Sequence, residues 1–177
     1  MSSESPVAAT IDSMQERHWP SVRAIYQAGI DTGHATFESC APASWEDWRR
    51  SRLNDYSVVA LEADRVIGWA TLGAVSGRCV YAGVAEVSVY VAARARGAGA
   101  GRRLLAALIE RSEAGNLWTL QAGVFPENAA SIALHESLGF TRVGIRRGLG
   151  KMSHGPLAGR WRDVLLLERR SARVGID

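Results

Sequence analysis

A chain of 177 residues with 47% hydrophobic and 22% charged content has the length and balance of one well-packed globular domain, residues 1–177 with a core over about 7–170. Its net charge is only +3, one of the 21 basic residues is a lysine (Lys151), and no basic stretch is interleaved with stacking aromatics, which excludes a nucleic-acid partner. No run approaches the roughly 20 apolar residues that span a bilayer, which excludes a membrane partner.

In chain order, Met1–Pro6 carries neither the basic nor the apolar region of a secretion signal, and Val7–Ile11 reads as a short first strand. Val22, Ile25, Tyr26 and Ile30 recur at helical spacing over His18–Ile30, with Pro20 tolerated in the first turn. Thr32–Cys40 is a polar and aromatic loop, and Ser44-Trp-Glu-Asp47 has the form of a capping box opening a second helix to about Leu53. Ser57–Glu62 and Val66–Ala74 are β-rich runs that form a hairpin about Ala-Asp-Arg. Tyr81–Val91 is the next strand, followed by a glycine turn and a helix to about Ala114. Thr119–Val124 is a strand, Asn128–Leu138 a helix, and Thr141–Arg147 and Trp161–Glu168 the last strands. The pattern predicts an α/β (α+β) fold: a mixed, mostly antiparallel sheet of about seven strands with about four helices on both faces. Cys40 and Cys79 match no C-x-x-C pattern, so a reducing cytoplasm is the expected compartment.

Between Arg94 and Gly101 the chain reads Arg-Ala-Arg-Gly-Ala-Gly-Ala-Gly, with an alternating strand before it and an apolar-periodic helix after it. Glycines let backbone N–H groups approach a ligand closely, and a helix start adds unsatisfied donors and partial positive charge. The turn therefore suits a phosphate or pyrophosphate, and Arg94, Arg96, Arg102 and Arg103 concentrate basic charge around it. Its spacing is G-x-G-x-G, late in the chain, so it is not the G-x-G-x-x-G of a dinucleotide fold; no Lys-Ser or Lys-Thr follows, so it is not a P-loop. About thirty residues on, Asn128, Ser131 and His135 lie at i, i+3, i+7, which puts them on one helical face while Ile132, Leu134 and Leu138 pack inward. Capping of the helix by Asn128 and contact with a ligand are compatible roles.

The combination of Arg96-Gly-x-Gly-x-Gly101 after a strand with Asn128-x-x-Ser131 and Leu138-Gly-Phe140 resembles the GCN5-related N-acetyltransferases, from about Thr10 to Glu168. Thr36-Phe37-Glu38, Ile67-Gly-Trp-Ala70, Ala85–Val91, Ser131–Glu136 and Trp161-x-Asp-Val164 are similar to the group that acetylates the α-amino group of phosphinothricin and methionine sulfoximine. The resemblance implies acetyl-CoA as co-substrate. Its contacts would be Val89 and Val91 on the strand, Arg96, Gly97, Ala98, Gly99, Ala100, Gly101 and Arg102 on the turn, and Asn128, Ser131 and His135 on the helix. It also implies a general base at Glu86, and a homodimer.

Such a base is needed because an α-ammonium cannot attack a thioester until it loses a proton. Strand alternation puts Glu86, Ser88 and Tyr90 on one face and Val87, Val89 and Val91 on the other. Apolar neighbours would raise the Glu86 carboxyl toward neutral pH; a solvent-facing or salt-bridged strand residue is the alternative. His135 occupies the place where many members of the superfamily carry a tyrosine acid, and reads equally as a structural or CoA-contacting histidine. Phe37, Trp69 and Arg78 are candidate contacts to a small zwitterion, with core or surface positions as the alternatives, and the Gly150–Gly155 loop and Trp161 would close the pocket opposite. His18, His34, His135 and His154 form no metal-ligand pattern, so no metal is expected. Acetylation of another amine (a polyamine, an aminoglycoside or a protein N-terminus) and a non-catalytic acyl-CoA-binding module remain as rival readings.

Overall fold

The computed structural model describes residues 9–176. It has seven strands: β1 (Thr10–Ser13), β2 (Val58–Glu62), β3 (Arg65–Ala74), β4 (Val84–Val91), β5 (Thr119–Val124), β6 (Thr141–Lys151) and β7 (Trp161–Arg170). Four helices accompany them: α1 (Trp19–Asp31), α2 (Trp45–Arg50), α3 (Ala100–Ala114) and α4 (Ala129–Glu136). The expected fold class is the observed one. Val7 and Ala8, included in the expected first strand, lie outside the described residues; the strand itself runs Thr10–Ser13.

Local chemistry explains the boundaries that moved. Helix α2 is capped by Ser44, whose Oγ accepts the Asp47 N–H at 3.1 Å. The Asp47 carboxylate meets the Ser44 hydroxyl instead of returning to its N–H, so the cap is not reciprocal. The helix stops at Arg50, short of Leu53, because the Leu53 N–H leaves it to donate to Leu72 O in β3 at 2.8 Å. The β2–β3 turn needs only Ala63 and Asp64, both at positive φ as a two-residue hairpin requires. Strand β4 begins at Val84, not Tyr81, because Cys79–Tyr81 closes into a single tight helical turn. Strands β6 and β7 run on to Lys151 and Arg170, with two irregularities in their pairing.

The strand order is β1-β2-β3-β4-β5-β7-β6, and the β4–β5 pair alone is parallel. One core lies between the sheet and α3, where Leu104, Leu105 and Leu108 meet Val58, Ala70, Leu72 and Val87. The opposite face is covered by α1 and α2 through an aromatic cluster. Trp69 of β3 stacks on Tyr90 of β4 with centroids 4.6 Å apart and stands edge-on to Trp48 and Tyr26. Trp69 is 0% exposed. It belongs to the core, the alternative that its reading as a substrate contact left open, and presents no exposed surface.

Truncating a buried indole leaves a large cavity, so Trp69→Ala is expected to cost about 3–5 kcal/mol of stability in urea denaturation. A loss under about 1 kcal/mol would mean that the tryptophan is dispensable to the core.

Candidate active site

Strands β4 and β5 pair only over Val84–Glu86 and Thr119–Gln121. Beyond Glu86, β4 stays bonded to β3 as far as Val91; beyond Gln121, β5 stays bonded to β7 as far as Val124. The two halves of the sheet thus part at Glu86 and Gln121, and a cleft opens toward the carboxyl ends of both strands. Ala92 N–H donates to Ile67 O on the β3 side. Antiparallel alternation therefore turns the peptide groups of Val87, Val89 and Val91 away from β3, toward this cleft.

Glu86 stands at the fork. Its Oε2 accepts a hydrogen bond from Gln121 Nε2 at 3.0 Å, and the residue is exposed. The carboxylate meets water and an amide, not the apolar surroundings expected for it; the valines of the same strand face α3. Gln121 was not singled out from the sequence, because its place opposite Glu86 depends on a parallel register that composition does not reveal.

At the far end of β4 the glycine turn has the anticipated geometry. Gly97 and Gly99 have φ of +77° and +84°, and an added Cβ at either would meet no atom within 4 Å. Gly99 caps α3, whose first closing bond runs from Arg103 N–H to Gly99 O at 3.1 Å. The N–H groups of Gly97, Ala98 and Gly99 take no backbone acceptor among the described residues, and those of Ala100, Gly101 and Arg102 are the orphan donors of a first helical turn. The surrounding arginine side chains are largely engaged elsewhere: Arg94 with Glu62 at 3.6 Å, Arg102 with Ser137 Oγ at 2.7 Å and Arg103 with Ala9 O. Arg96 bonds through Nε to Val91 O at 3.3 Å and is exposed. Donors at the turn are thus chiefly main-chain amides.

Asn128 caps α4, its Oδ1 accepting the Ser131 N–H at 3.1 Å. The expected polar stripe breaks at His135, which is 4% exposed. Its Nδ1 lies 2.7 Å from Ser131 O, its ring is edge-on to Phe140 at 5.0 Å, and its Nε2 is buried without a partner. His135 is a core histidine and presents no face to a ligand, which corrects its reading as a cofactor contact. The short helix sinks its second turn against the sheet, and of the three polar positions Asn128 and Ser131 stay half-buried.

The opposite wall is built from distant segments. Phe37 packs edge-on to Phe125 at 5.1 Å, beside Met152 and Val164. Arg162 is buried: its guanidinium lies 3.5 Å from the Phe125 ring centre, donates to Gly33 O at 2.7 Å and to Glu127 Oε2 at 3.2 Å. It thereby ties the loop after α1 to the segment that ends in Asn128. His154 Nε2 lies 3.1 Å from Ile30 O, which fastens the β6–β7 loop to the end of α1. Trp161 is 67% exposed, and Arg78 is an exposed cation stacked over Tyr81. On the Glu86 face of β4, burial raises the Tyr26 and Tyr90 phenols above their ordinary value, and the nearby Arg52 cation opposes that shift.

Comparison with known proteins adds four findings. The family model described as "Acetyltransferase (GNAT) family" matches residues 15–140. Over 167 residues the chain is 34% identical to the phosphinothricin N-acetyltransferase of Alcaligenes faecalis, covering 92% of this chain and 82% of that one. It is 32% identical to the L-methionine sulfoximine/L-methionine sulfone acetyltransferase of Pseudomonas aeruginosa over 154 residues, 84% and 87% of the two chains. The structure superposes with a TM-score of 0.84 on a phosphinothricin acetyltransferase from Sinorhizobium meliloti in complex with AcCoA, at 30% identity and covering 96% and 92%.

Burial lowers the proton affinity of His135 below the ordinary 6.5, against the opposing hydrogen bond to Ser131, and burial lowers His18 likewise. As pH falls through 6.5 the unfolded chain takes up its protons first, so stability declines until the folded imidazoles titrate. His135→Gln is expected to flatten part of that decline in denaturation curves taken between about pH 7 and pH 5. An unchanged slope would contradict the burial of this side chain.

Proposed function

The chain belongs to the GNAT acetyltransferase family and is an N-acetyltransferase, and from that premise we propose that it is one domain transferring acetyl from acetyl-CoA to the α-amino group of a small amino acid or analogue such as phosphinothricin or methionine sulfoximine. The observation that carries this reading is the position of Glu86 at the fork of β4 and β5, on the strand that leads into the glycine turn. A proton acceptor and an array of anion-binding amides thus lie at opposite ends of one cleft.

The residues present fit the co-substrate. The free amides from Gly97 to Arg102 are suited to its pyrophosphate, as at other helix starts. The cleft-facing peptide groups of Val89 and Val91, with Asn128 and Ser131, suit its amide-bearing arm. Arg96 adds an exposed cation beside the turn. When bound, acetyl-CoA supplies a thioester carbonyl as electrophile for the amine. Glu86 takes the ammonium proton, directly or through water, while Gln121 fixes the carboxylate by its hydrogen bond. Strand N–H groups beyond Glu86 are placed as donors to a developing oxyanion. Phe37, packed on Phe125, and the exposed Arg78 are taken in this reading as acceptor contacts. The similarity to phosphinothricin and methionine sulfoximine acetyltransferases supports the acceptor class.

The working form in this reading is a cytoplasmic homodimer. Edge strand β6 exposes Val143 (56%), Ile145 (52%) and Leu149 (41%), with Trp161 (67%) on the neighbouring strand. An apolar edge of this kind invites pairing with a second copy. The two cysteines are unpaired, as in a reducing compartment, and no helix among the described residues is long and apolar enough to cross a membrane.

An acceptor screen that follows CoA release is expected to show turnover with phosphinothricin, methionine sulfoximine or methionine sulfone; turnover of a polyamine alone would overturn the acceptor class. Glu86→Gln is expected to lower kcat by about 10²–10⁴-fold with little change in the KM for acetyl-CoA. Unchanged turnover at neutral pH would remove Glu86 from the base role. Ile145→Lys should shift the sedimentation coefficient from that of a dimer toward a monomer, and an unchanged dimer would place the interface elsewhere.

A further inference from the structure

We propose that the guanidinium of Arg52 anchors the carboxylate of the acceptor, an assignment that rests on the amino-acid acceptor proposed above. Arg52 follows α2 and is clipped against the sheet by its neighbour, whose N–H donates to Leu72 O. Its side chain is half-buried and lies over the Trp48 ring at 4.7 Å. Its Nε is buried without a hydrogen-bond partner, and among the described residues no carboxylate lies within 4.0 Å of the guanidinium. The contrast with Arg162 and Arg169 is direct: those largely buried guanidinium groups meet Glu127 and Glu113 at 3.2 and 2.9 Å. Glu38 acts on the same Tyr26 and Tyr90 phenols as Arg52 but makes no direct ion pair with it, and an anionic ligand would give the half-buried guanidinium a direct partner.

The surroundings select which ligand. At the position a Cβ would occupy on Gly73, Ser51 O lies 3.7 Å away and Arg52 Nη1 4.0 Å. Gly73 is the direct partner of Glu86 across β3 and β4, and facing residues of an antiparallel pair point to the same side of the sheet. The absent side chain at Gly73 therefore leaves open floor between a cation and the proposed base. One strand spacing, about 4.8 Å, separates the two positions. A small α-amino acid can present its ammonium to Glu86 and its carboxylate to Arg52, whereas an amine without a nearby anion gains nothing from the second contact. Arg52 thus acts as a specificity determinant, selecting amino acids over simple amines.

The test compares L-methionine sulfone with the amine obtained by removing its carboxylate, in the full-length wild-type enzyme and in Arg52→Gln and Arg52→Lys. In Arg52→Gln the acid-over-amine ratio of kcat/KM should fall by about tenfold or more, as expected for loss of a charge-assisted pair, through the KM of the acid. The KM for acetyl-CoA should stay within about twofold. Arg52→Lys, which keeps the charge and lacks the planar fork, should show a smaller loss in the same direction, and it serves as the test if the glutamine variant fails to fold. A wild-type enzyme that acetylates no amino-acid analogue overturns the functional reading, and this assignment with it. Turnover of methionine sulfone with an acid-over-amine ratio unchanged in both variants overturns the Arg52 assignment alone and leaves Arg52 a cation stacked on Trp48.

Discussion

The architecture depends on one interruption in hydrogen bonding. Were β4 and β5 paired along their full length, the sheet would be continuous and Glu86 would be one more strand residue. Because the ladder stops at Glu86 and Gln121, main-chain donors and acceptors of two strands are left facing each other across a gap. Such groups are costly to leave without partners in a folded protein, and an extended molecule that carries amides satisfies them as a strand would. In the proposed reading the interruption also sets where the chemistry lies, since the last paired position carries the Glu86 carboxylate.

Keeping two half-sheets apart requires outside support, and the structure supplies it on both faces. On one, α3 and α4 meet where Gly101 approaches Leu134 and Val91, so the helix start is wedged beside the cleft. On the other, Arg162 reaches from β7 to Gly33 and Glu127. This buried arginine reaches a carbonyl 129 residues away in the chain, and removal of Glu127 would leave its charge desolvated without a counter-ion. The aromatic stack of Trp19, Trp48, Trp69, Tyr26 and Tyr90 fills the space beneath α1 and α2. Stability and site geometry thus share the same side chains on that face.

The strand and helix order was legible because alternation and helical periodicity are local signals, and so was the glycine turn, whose left-handed backbone at Gly97 and Gly99 explains the residue choice. Depth and register were not. His135 lies on the face that periodicity assigned, yet it is buried, as Trp69 is, because the amount of neighbouring structure covering a side chain is decided by segments far away in sequence. Gln121 and Arg52 escaped notice for the same reason: one matters through a parallel register, the other through a segment that leaves its helix to bond with β3. The arginines around the turn show a further limit. Their clustering in sequence suggested charge directed at a ligand, while all four also bond to protein partners, only Arg94 to a carboxylate.

That bonding has a consequence for how an anion is received at the turn. A site built on fixed cations draws ligands in from a distance, and dissolved salt screens the attraction within about 10 Å at ordinary ionic strength. A site built on the amides of Gly97 to Arg102 acts only at contact, through short directional bonds that salt barely reaches. In the proposed reading the amides set the fit at the turn, while Arg96, Arg102 and Arg103, whose acceptors are uncharged, keep the charge that draws an anion in and that salt screens.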